Sequence, residues 1–520
     1  MIYNEKHSVR FSLPGQNEQS YKKIDLPEIF RKIQNKEPLY LNRVVLEGFS
    51  INAYREYYQL PADEMIEIWI ESITDCLFLG KDGIAMELSF CYLRTPDSIA
   101  GISFEDNIFY KGKVHFSCSC IDDVDLSLTG SSFWDTELIF DSVQFGEKNL
   151  YLDKTNFYGR DSSVIFDKTD FGMNGEILFS YMRGLKGKVE LYKCALGENM
   201  LDFAYMDCPD CQFIFWDLET PSVPIDFVDS KVRMIILYKV NVNGLLDFRI
   251  LTAEDIIIQE SVIRDCVLLG NQGYKNYTSY CLKKSTLLGR VKIQNKVSKK
   301  FFAHQKQLVC DTRTEDNEIV LCQTSSTDKA NQLTILAENY HSEGEADNED
   351  RAYVLSKRYR SRGRVHDNWT DYAAVGRTEE YQRSFFKRLA AYMEITVKLA
   401  GTALAWLFEK IFLDLLCGNY ATRPFKFLCW IIVIVTGFAF IYAGIIGVDN
   451  VHFQLADTIY QNINSGTAAW LYSLQVFLQI DNGDLAPRMA ELYYLMVGEK
   501  IIGLMMFSIF VVSYTRKVIK

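Results

Sequence analysis

The chain has 520 residues, 24% of them charged and 48% hydrophobic, with a formal net charge of -11 and a mean hydropathy of -0.05. That length predicts two or three folding units, and that hydropathy excludes a polytopic protein with most of its mass in lipid. The acidic balance excludes nucleic-acid binding as the main activity, because phosphate contacts need clustered Lys and Arg. The 13 cysteines are spread thinly through apolar stretches, which predicts buried reduced thiols and a cytosolic bulk. MIYNEKHSVRFSLPGQ at the start has no apolar run, so no cleaved secretory signal is expected.

Residues 1–38 form an N-terminal segment in which Ile29, Phe30 and Ile33 carry helical spacing and predict a capping helix. From 39 to 285 the chain repeats without helical periodicity. IFDSVQFG (Ile139–Gly146), YLDKTNFYG (Tyr151–Gly159) and IFDKTDFG (Ile165–Gly172) each place an apolar pair before Asp and an aromatic close to glycine. Phe179, Leu191, Phe203, Phe215 and Phe227 then follow at a spacing of roughly twelve residues, a period of the kind that marks repeat architectures. Short strands with inward aromatics, stacked coil on coil, predict a β-solenoid whose ends need caps. An antiparallel β-sandwich is the alternative, and it accounts less well for so long a period. The pairs Cys118/Cys120 and Cys208/Cys211 invite a zinc reading, but one CxC and one CxxC far apart lack finger spacing, and strand alternation places them inside the coils.

FYKGKVHFSCSCIDDVDLSLTGSSF (Phe109–Phe133) resembles the degenerate pentapeptide-repeat proteins, whose units build a right-handed quadrilateral β-helix. EIFRKIQNKEPLYLNRVVLEGFSI (Glu28–Ile51) resembles the helix-then-first-coil opening of the same family. The resemblance implies a fold and not a function.

A polar linker region, 286–328, is expected to hold a strand and loops. Residues 329–390 then read as helices, with Leu333, Leu336 and Tyr340 on one face and Leu355 and Tyr359 on another. SEGEADNED is expected to be a turn, and a third segment to run from His366 to about Lys387. The pair resembles a tetratricopeptide hairpin, which connects domains or binds partners. Arg358, Arg360, Arg362, Arg364, Arg377, Arg383, Lys387 and Arg388 crowd the approach to the apolar segments and read as cytoplasmic charge facing anionic lipid.

Two spans are expected in 425–520: Phe427–Val448, free of charge, and about Leu492–Tyr514. No Lys or Arg lies between Asp449 and Pro487, so the positive-inside rule puts both ends in the cytoplasm. Residues 391–424 are apolar but carry Glu409, Lys410 and Asp414, and an interfacial amphipathic helix suits them better than a third span. Between the spans, Gly466–Leu478 is an apolar helix too short to cross, followed by QIDNGDLAP. Such a segment cannot face lipid with its backbone unpaired, so protein must bury it or it must line water.

WLYSLQVFLQIDNGDLAP and the helix after it resemble the two-helix pore module of potassium-channel-like proteins, with their S-x-x-T-x-T-T-x-G-Y-G-D-x-x-P signature. The resemblance implies a pore helix carrying Ser473, Leu474 and Phe477, and a selectivity filter at Gln479, Ile480, Asp481, Asn482, Gly483 and Asp484, with Pro487 as the outer proline. Glu499 and Gly503 match an E-x-x-x-G pattern in which the glycine resembles a gating hinge. LLCGNYATRPFKFL resembles the segment before the first span in bacterial channels with N-terminal pentapeptide repeats.

The chain departs from that signature at Asp481 and Asn482, which replace the first glycine and the tyrosine. A fourfold assembly would bring rings of Asp481 and Asp484 near the axis, where carboxylates attract cations and coordinate hard divalent ions. The expected function is therefore a homotetrameric cation channel in a bacterial inner membrane, not potassium-selective, conducting calcium or a mixture of monovalent and divalent cations. Its partners are membrane lipid and an unidentified cytosolic ligand or protein at the solenoid. No cofactor is expected beyond the permeant cation, here taken as the ion held by Asp481 and Asp484. The alternative is a non-conducting membrane-tethered scaffold whose solenoid binds a protein partner or mimics DNA with its acidic surface. The six histidines have no metal spacing, and the absence of a P-loop, nucleophile elbow or paired acid and base predicts no enzyme.

Overall fold

The computed structural model describes residues 2–4, 8–12, 18–121, 124–160, 162–248, 250–269, 279–282, 284–293, 310–315, 318–323, 325–375, 385–416, 418–422, 424–450, 465–480 and 490–518. They fall into two compact units, 1–324 with 338–343, and 325–337 with 344–520.

The first unit is a β-solenoid of about ten coils, its strands paired in parallel from Val44–Glu47 to Ser279–Cys281. In the coil around Phe133 the corners are Asp135, Ser142, Gly146 and Lys154, with φ of 47°, 54°, 63° and 56°. Left-handed backbone is uncommon at residues with a Cβ. Here it turns the chain within one residue while the corner amide still pairs with the next coil. Ser142 N donates to Asp167 O at 2.7 Å, and Lys168 N to Tyr192 O at 2.8 Å.

Phe109 pairs with Phe133, and Phe133 with Phe157, so successive coils advance by 24 residues. The coil is longer than four five-residue sides would make it. The spacing of roughly twelve seen in the sequence is half a coil. Phe179, Phe203 and Phe227 stack at 4.9 and 4.8 Å in one column. Leu191 and Phe215 are register partners in another. A third stack, Phe116–Phe140–Phe166, has both centroid distances at 4.9 Å. Each fully buried ring contributes about 1.5–3 kcal/mol of apolar burial.

Near the corners, buried hydroxyls reach carbonyls of the preceding coil: Ser131 to Phe104 O at 2.8 Å, Thr169 to Phe140 O at 3.0 Å, and Ser285 to Ile258 O at 2.9 Å. Cys208 and Cys211 are buried in the solenoid as expected, whereas Cys118 and Cys120, expected inside the coils, are only half-buried, Cys118 standing at a left-handed corner. Burial pushes the Cys208 thiol up to about 12, which keeps it protonated and a poor metal ligand at neutral pH.

At the first end, Leu26–Gln34 forms the expected helix, burying Ile29, Phe30 and Ile33. A second helix, Ile51–Tyr58, was not foreseen; Ser50 caps it by accepting from Ala53 N at 3.3 Å. Strands Ser8–Phe11 and Gln19–Lys23 also add an antiparallel pair, with Lys22 and Lys23 continuing in parallel onto Val44 and Val45. Val9, Phe11 and Tyr21 pack with Val45, Leu77 and Ile108, so the pair covers one end of the ladder. At the other end Thr286–Leu287 and Val291–Ile293 carry the coils past Ser285. The region expected as linker also contains the antiparallel hairpin Cys310–Glu315/Glu318–Gln323. Residues 338–343 belong with this unit: Asn339 Nδ2 donates to Gly289 O at 2.7 Å, and Arg290 pairs with Glu343 at 3.0 Å.

The second unit is helical. Ser326–Ser342 is followed by one 30-residue helix, Ala346–Val375. The acidic stretch does turn as expected, at Glu343 and Gly344, and from Ala346 it supplies the first turn of the long helix, while the separate segment expected from His366 is part of that helix as far as Val375. Gly363 does not break the helix, because an added Cβ would meet Thr327 Oγ1 at 2.8 Å: the glycine is where the helices approach. Phe385–Phe408 then passes into a wide-turn π segment, Glu409–Leu416. Pro424–Asn450, Ser465–Phe477 and Ala490–Val518 complete the unit. One helix, over Tyr493–Thr515, is long and apolar enough to cross a membrane; the described apolar part of Pro424–Asn450, Leu428–Gly444, is shorter.

Replacing Phe140 by Ala removes the middle ring of the Phe116–Phe140–Phe166 stack and is expected to cost the solenoid about 3–5 kcal/mol. Urea unfolding of the purified protein, followed by far-UV circular dichroism, checks this. A loss of only about 0.5 kcal/mol, as for a surface substitution, would refute the packed column.

Candidate functional site

The described members of the expected site, Ser473, Leu474, Phe477, Gln479, Ile480, Glu499 and Gly503, lie on or against the short helix Ser465–Phe477. It packs between Pro424–Asn450 and Ala490–Val518 through two apolar clusters. Val435, Phe477 and Met506 centre one, and Tyr442, Tyr472 and Val476 the other. Trp470 Nε1 donates to Thr436 Oγ1 at 3.1 Å, adding a polar link to the preceding long helix.

Ser473 is fully buried, with Oγ 2.9 Å from Val435 O and within hydrogen-bond reach of Glu499 Oε1. The Tyr442 hydroxyl donates to the other Glu499 oxygen at 2.7 Å. Tyr442 and Glu499 are also fully buried. The structure thus brings Ser473 and Glu499 together and adds Tyr442 and Val435, which the motif did not indicate. A tyrosine inside a charge-free apolar run was the available signal, since its hydroxyl needs a partner there.

Gly503 lies one turn after Glu499 on the same face. A Cβ built there would fall 2.2 Å from Phe477 O, so the missing side chain lets the last helix touch the end of the short one. Leu474, only partly buried, packs against the Val435 cluster.

The short helix ends in a reciprocal backbone cap. Gln479 adopts φ 57°, Gln479 N donates to Val476 O at 3.2 Å, and Ile480 N to Gln475 O at 3.0 Å. This is the Schellman arrangement, usually completed by glycine. The Gln479 amide also donates to Lys500 O at 3.3 Å. Ile480 leaves the helix 52% exposed. Asp481, Asn482, Gly483 and Asp484, expected as the rest of a filter, lie outside the described residues, as does Pro487. Among the described residues no group of three His, Cys, Asp or Glu side chains is placed to hold a metal.

A second polar centre resolves the charges in 391–424. Arg358 clamps Asp414 with Nη2 to Oδ1 at 2.7 Å and Nε to Oδ2 at 3.1 Å, and Lys410 adds a bond at 2.8 Å. Glu409 accepts from Arg364 at 3.1 Å and from Ser361. Two of the arginines expected to face lipid are therefore spent on carboxylates. A π segment opens the helix just where these bonds form, as such segments commonly do at special sites. Asn368 Nδ2 donates to Thr402 Oγ1 at 3.0 Å, fixing the same two helices further along. The opposite side of Phe385–Phe408 exposes Leu389, Met393, Val397, Leu404 and Phe408 at helical spacing.

Burial pushes the Asp414 carboxyl up, but the bonds from Arg358 and Lys410 outweigh it and hold its pKa below the ordinary 3.8. A depressed carboxyl stabilises the fold fully above that ordinary value and loses the contribution as pH falls through its lower folded value. Asp414→Asn should therefore destabilise this unit at pH 7 by about 2 kcal/mol. The gap from the unaltered protein should shrink in acid below 3.8. Thermal melts at both pH values check it, and an equal gap at both would refute the clamp.

Among family models, curated proteins and solved structures, none matches the chain.

Proposed function

We propose that the chain is a subunit of a homotetrameric membrane cation channel of the pore-loop type. In this reading Pro424–Asn450 and Ala490–Val518 are its spans, Ser465–Phe477 is the pore helix, and Gln479–Asp484 is the filter. The carrying observation is the short helix. Its 13 residues make about 20 Å, too little for a hydrocarbon core of about 30 Å. It is nevertheless buried at Ala469, Ser473, Val476 and Phe477 between two helices whose outer faces are apolar and exposed, as at Ile432, Phe440, Leu504 and Val512. Chain that continues from such a helix needs water or protein around its backbone, which a fourfold axis would supply.

The closing carbonyls of the short helix carry the negative end of its dipole, which favours a cation beyond it. Asp481 and Asp484 follow within a few residues, and calcium or mixed cation conduction fits their hard oxygen chemistry. The exposed apolar stripe on Phe385–Phe408 suits a helix lying in the inner membrane surface. The missing Lys and Arg between Asp449 and Pro487 place the solenoid and the C-terminus on the cytoplasmic side, with the solenoid as a regulatory or sensory domain.

Planar-bilayer recording of the purified protein in asymmetric K⁺, Na⁺ and Ca²⁺ tests this. Asp481→Asn with Asp484→Asn is expected to lower divalent relative to monovalent permeability by about tenfold, as loss of carboxylate rings should. A reversal potential that follows the potassium gradient alone would remove the selectivity assignment. No current under any gradient would remove the channel assignment and leave the scaffold.

A further inference from the structure

Glu499 is a carboxyl with no exposure, set among apolar side chains, and it pairs with no cation among the described residues. Such a group is costly unless every oxygen is satisfied. Its two oxygens meet two hydroxyls from two different helices, Ser473 on the short helix and Tyr442 on the preceding long one. It is therefore a side chain through which all three helices are joined.

The hydrogen inventory sharpens this. Ser473 has one hydroxyl proton, and Val435 O, at 2.9 Å, can only accept it. The contact between Ser473 Oγ and Glu499 Oε1 then becomes a hydrogen bond when the carboxyl supplies its own proton. Tyr442 donates to Oε2, and every member is satisfied. Four residues on, Gly503 removes the side chain that would strike Phe477 O. Glu499 and Gly503 form one docking face, the first bonding the body of the short helix and the second admitting its end.

We propose that Glu499 is a positioning residue. It holds the short helix through the Ser473 and Tyr442 hydroxyls and thereby sets where the chain departs at Ile480. Gly503 serves the same contact by close approach. The consequence for permeation rests on the pore assignment made above. The docking itself does not.

The test uses the full chain in lipid nanodiscs, with hydrogen–deuterium exchange read on peptides covering 465–480. Glu499→Gln keeps both partners, because its amide donates to Ser473 and its carbonyl accepts from Tyr442, so its exchange should match the unaltered protein. Glu499→Ala should speed exchange in the last turn, through Ile480, by about tenfold, the scale of losing a buried hydrogen bond. Tyr442→Phe keeps the ring, removes one bond, and should fall between them, which preserves the test if the alanine variant fails to fold. Unchanged exchange in both Glu499→Ala and Tyr442→Phe overturns the proposal, and so does Glu499→Gln exchanging as fast as Glu499→Ala. In bilayers under bi-ionic conditions, Glu499→Ala should shift the reversal potential and Glu499→Gln should not. A shift shared by both variants, or absent from both, overturns the link to permeation. If the unaltered protein carries no current, the pore assignment fails and the exchange result alone decides the docking.

Discussion

Backbone amides and carbonyls that cannot reach water must find partners within the chain, and both units are organised around that demand. In the solenoid each corner is a place where a regular strand would have to leave groups unpaired. The left-handed residues at Ser142 and Lys168 turn the chain while keeping their own amides on the next coil. The carbonyls left near the corners go to buried hydroxyls such as Ser131 and Thr169. The aromatic columns can then stack at about van der Waals spacing because the ladder beneath them has already fixed the register. The same demand shapes the end of the short helix, where Gln479 takes the left-handed position and turns Ile480 N back onto Gln475 O.

The solenoid was legible because its signal is carried by large residues that repeat. Phe179, Phe203 and Phe227 announce a column directly, although Leu191 and Phe215 halve the apparent period by marking a second one. The hydroxyl ladder was missed because Ser and Thr are ordinary loop residues. Only their recurrence at the 24-residue step, as from Ser131 to Thr155, would have exposed them. The pair Ser8–Phe11/Gln19–Lys23 carries too few apolar positions for periodicity to register, and its partners lie on coils far along the chain. The segment expected to start at His366 is continuous through Gly363, because propensity is local, while the contact with Thr327 that makes glycine suitable there is not.

Around the candidate site, pattern placed Ser473, Glu499 and Gly503 but not what they do for one another. Ser473 to Glu499 spans 26 residues and needs the fold to close. The charges of Glu409 and Asp414 were visible as an anomaly in an apolar run, and an interfacial helix was the economical explanation. Their partners Arg358, Ser361 and Arg364 sit on one face of a different helix at steps of three. That spacing is recognisable as a helical stripe only once the hairpin is known to run unbroken through Gly363.

The two polar centres of the helical unit differ in chemistry and in burial. The Arg358–Asp414 and Arg364–Glu409 bonds are charged, partly exposed and carried on long side chains. The Asp414 carboxylate is nonetheless buried under Arg358 and Lys410, while the more exposed Arg364–Glu409 pair is the one that weakens in salt. The Glu499 centre is uncharged at its partners and sealed from solvent, and Gly503 leaves no slack between backbone and helix end. Breaking it strands a carboxyl and a phenol in apolar surroundings, which costs more than any one surface pair. The two centres are chemically distinct, and Tyr420 and Asn419, both left-handed in the turn that follows the π segment, lie between them along the chain.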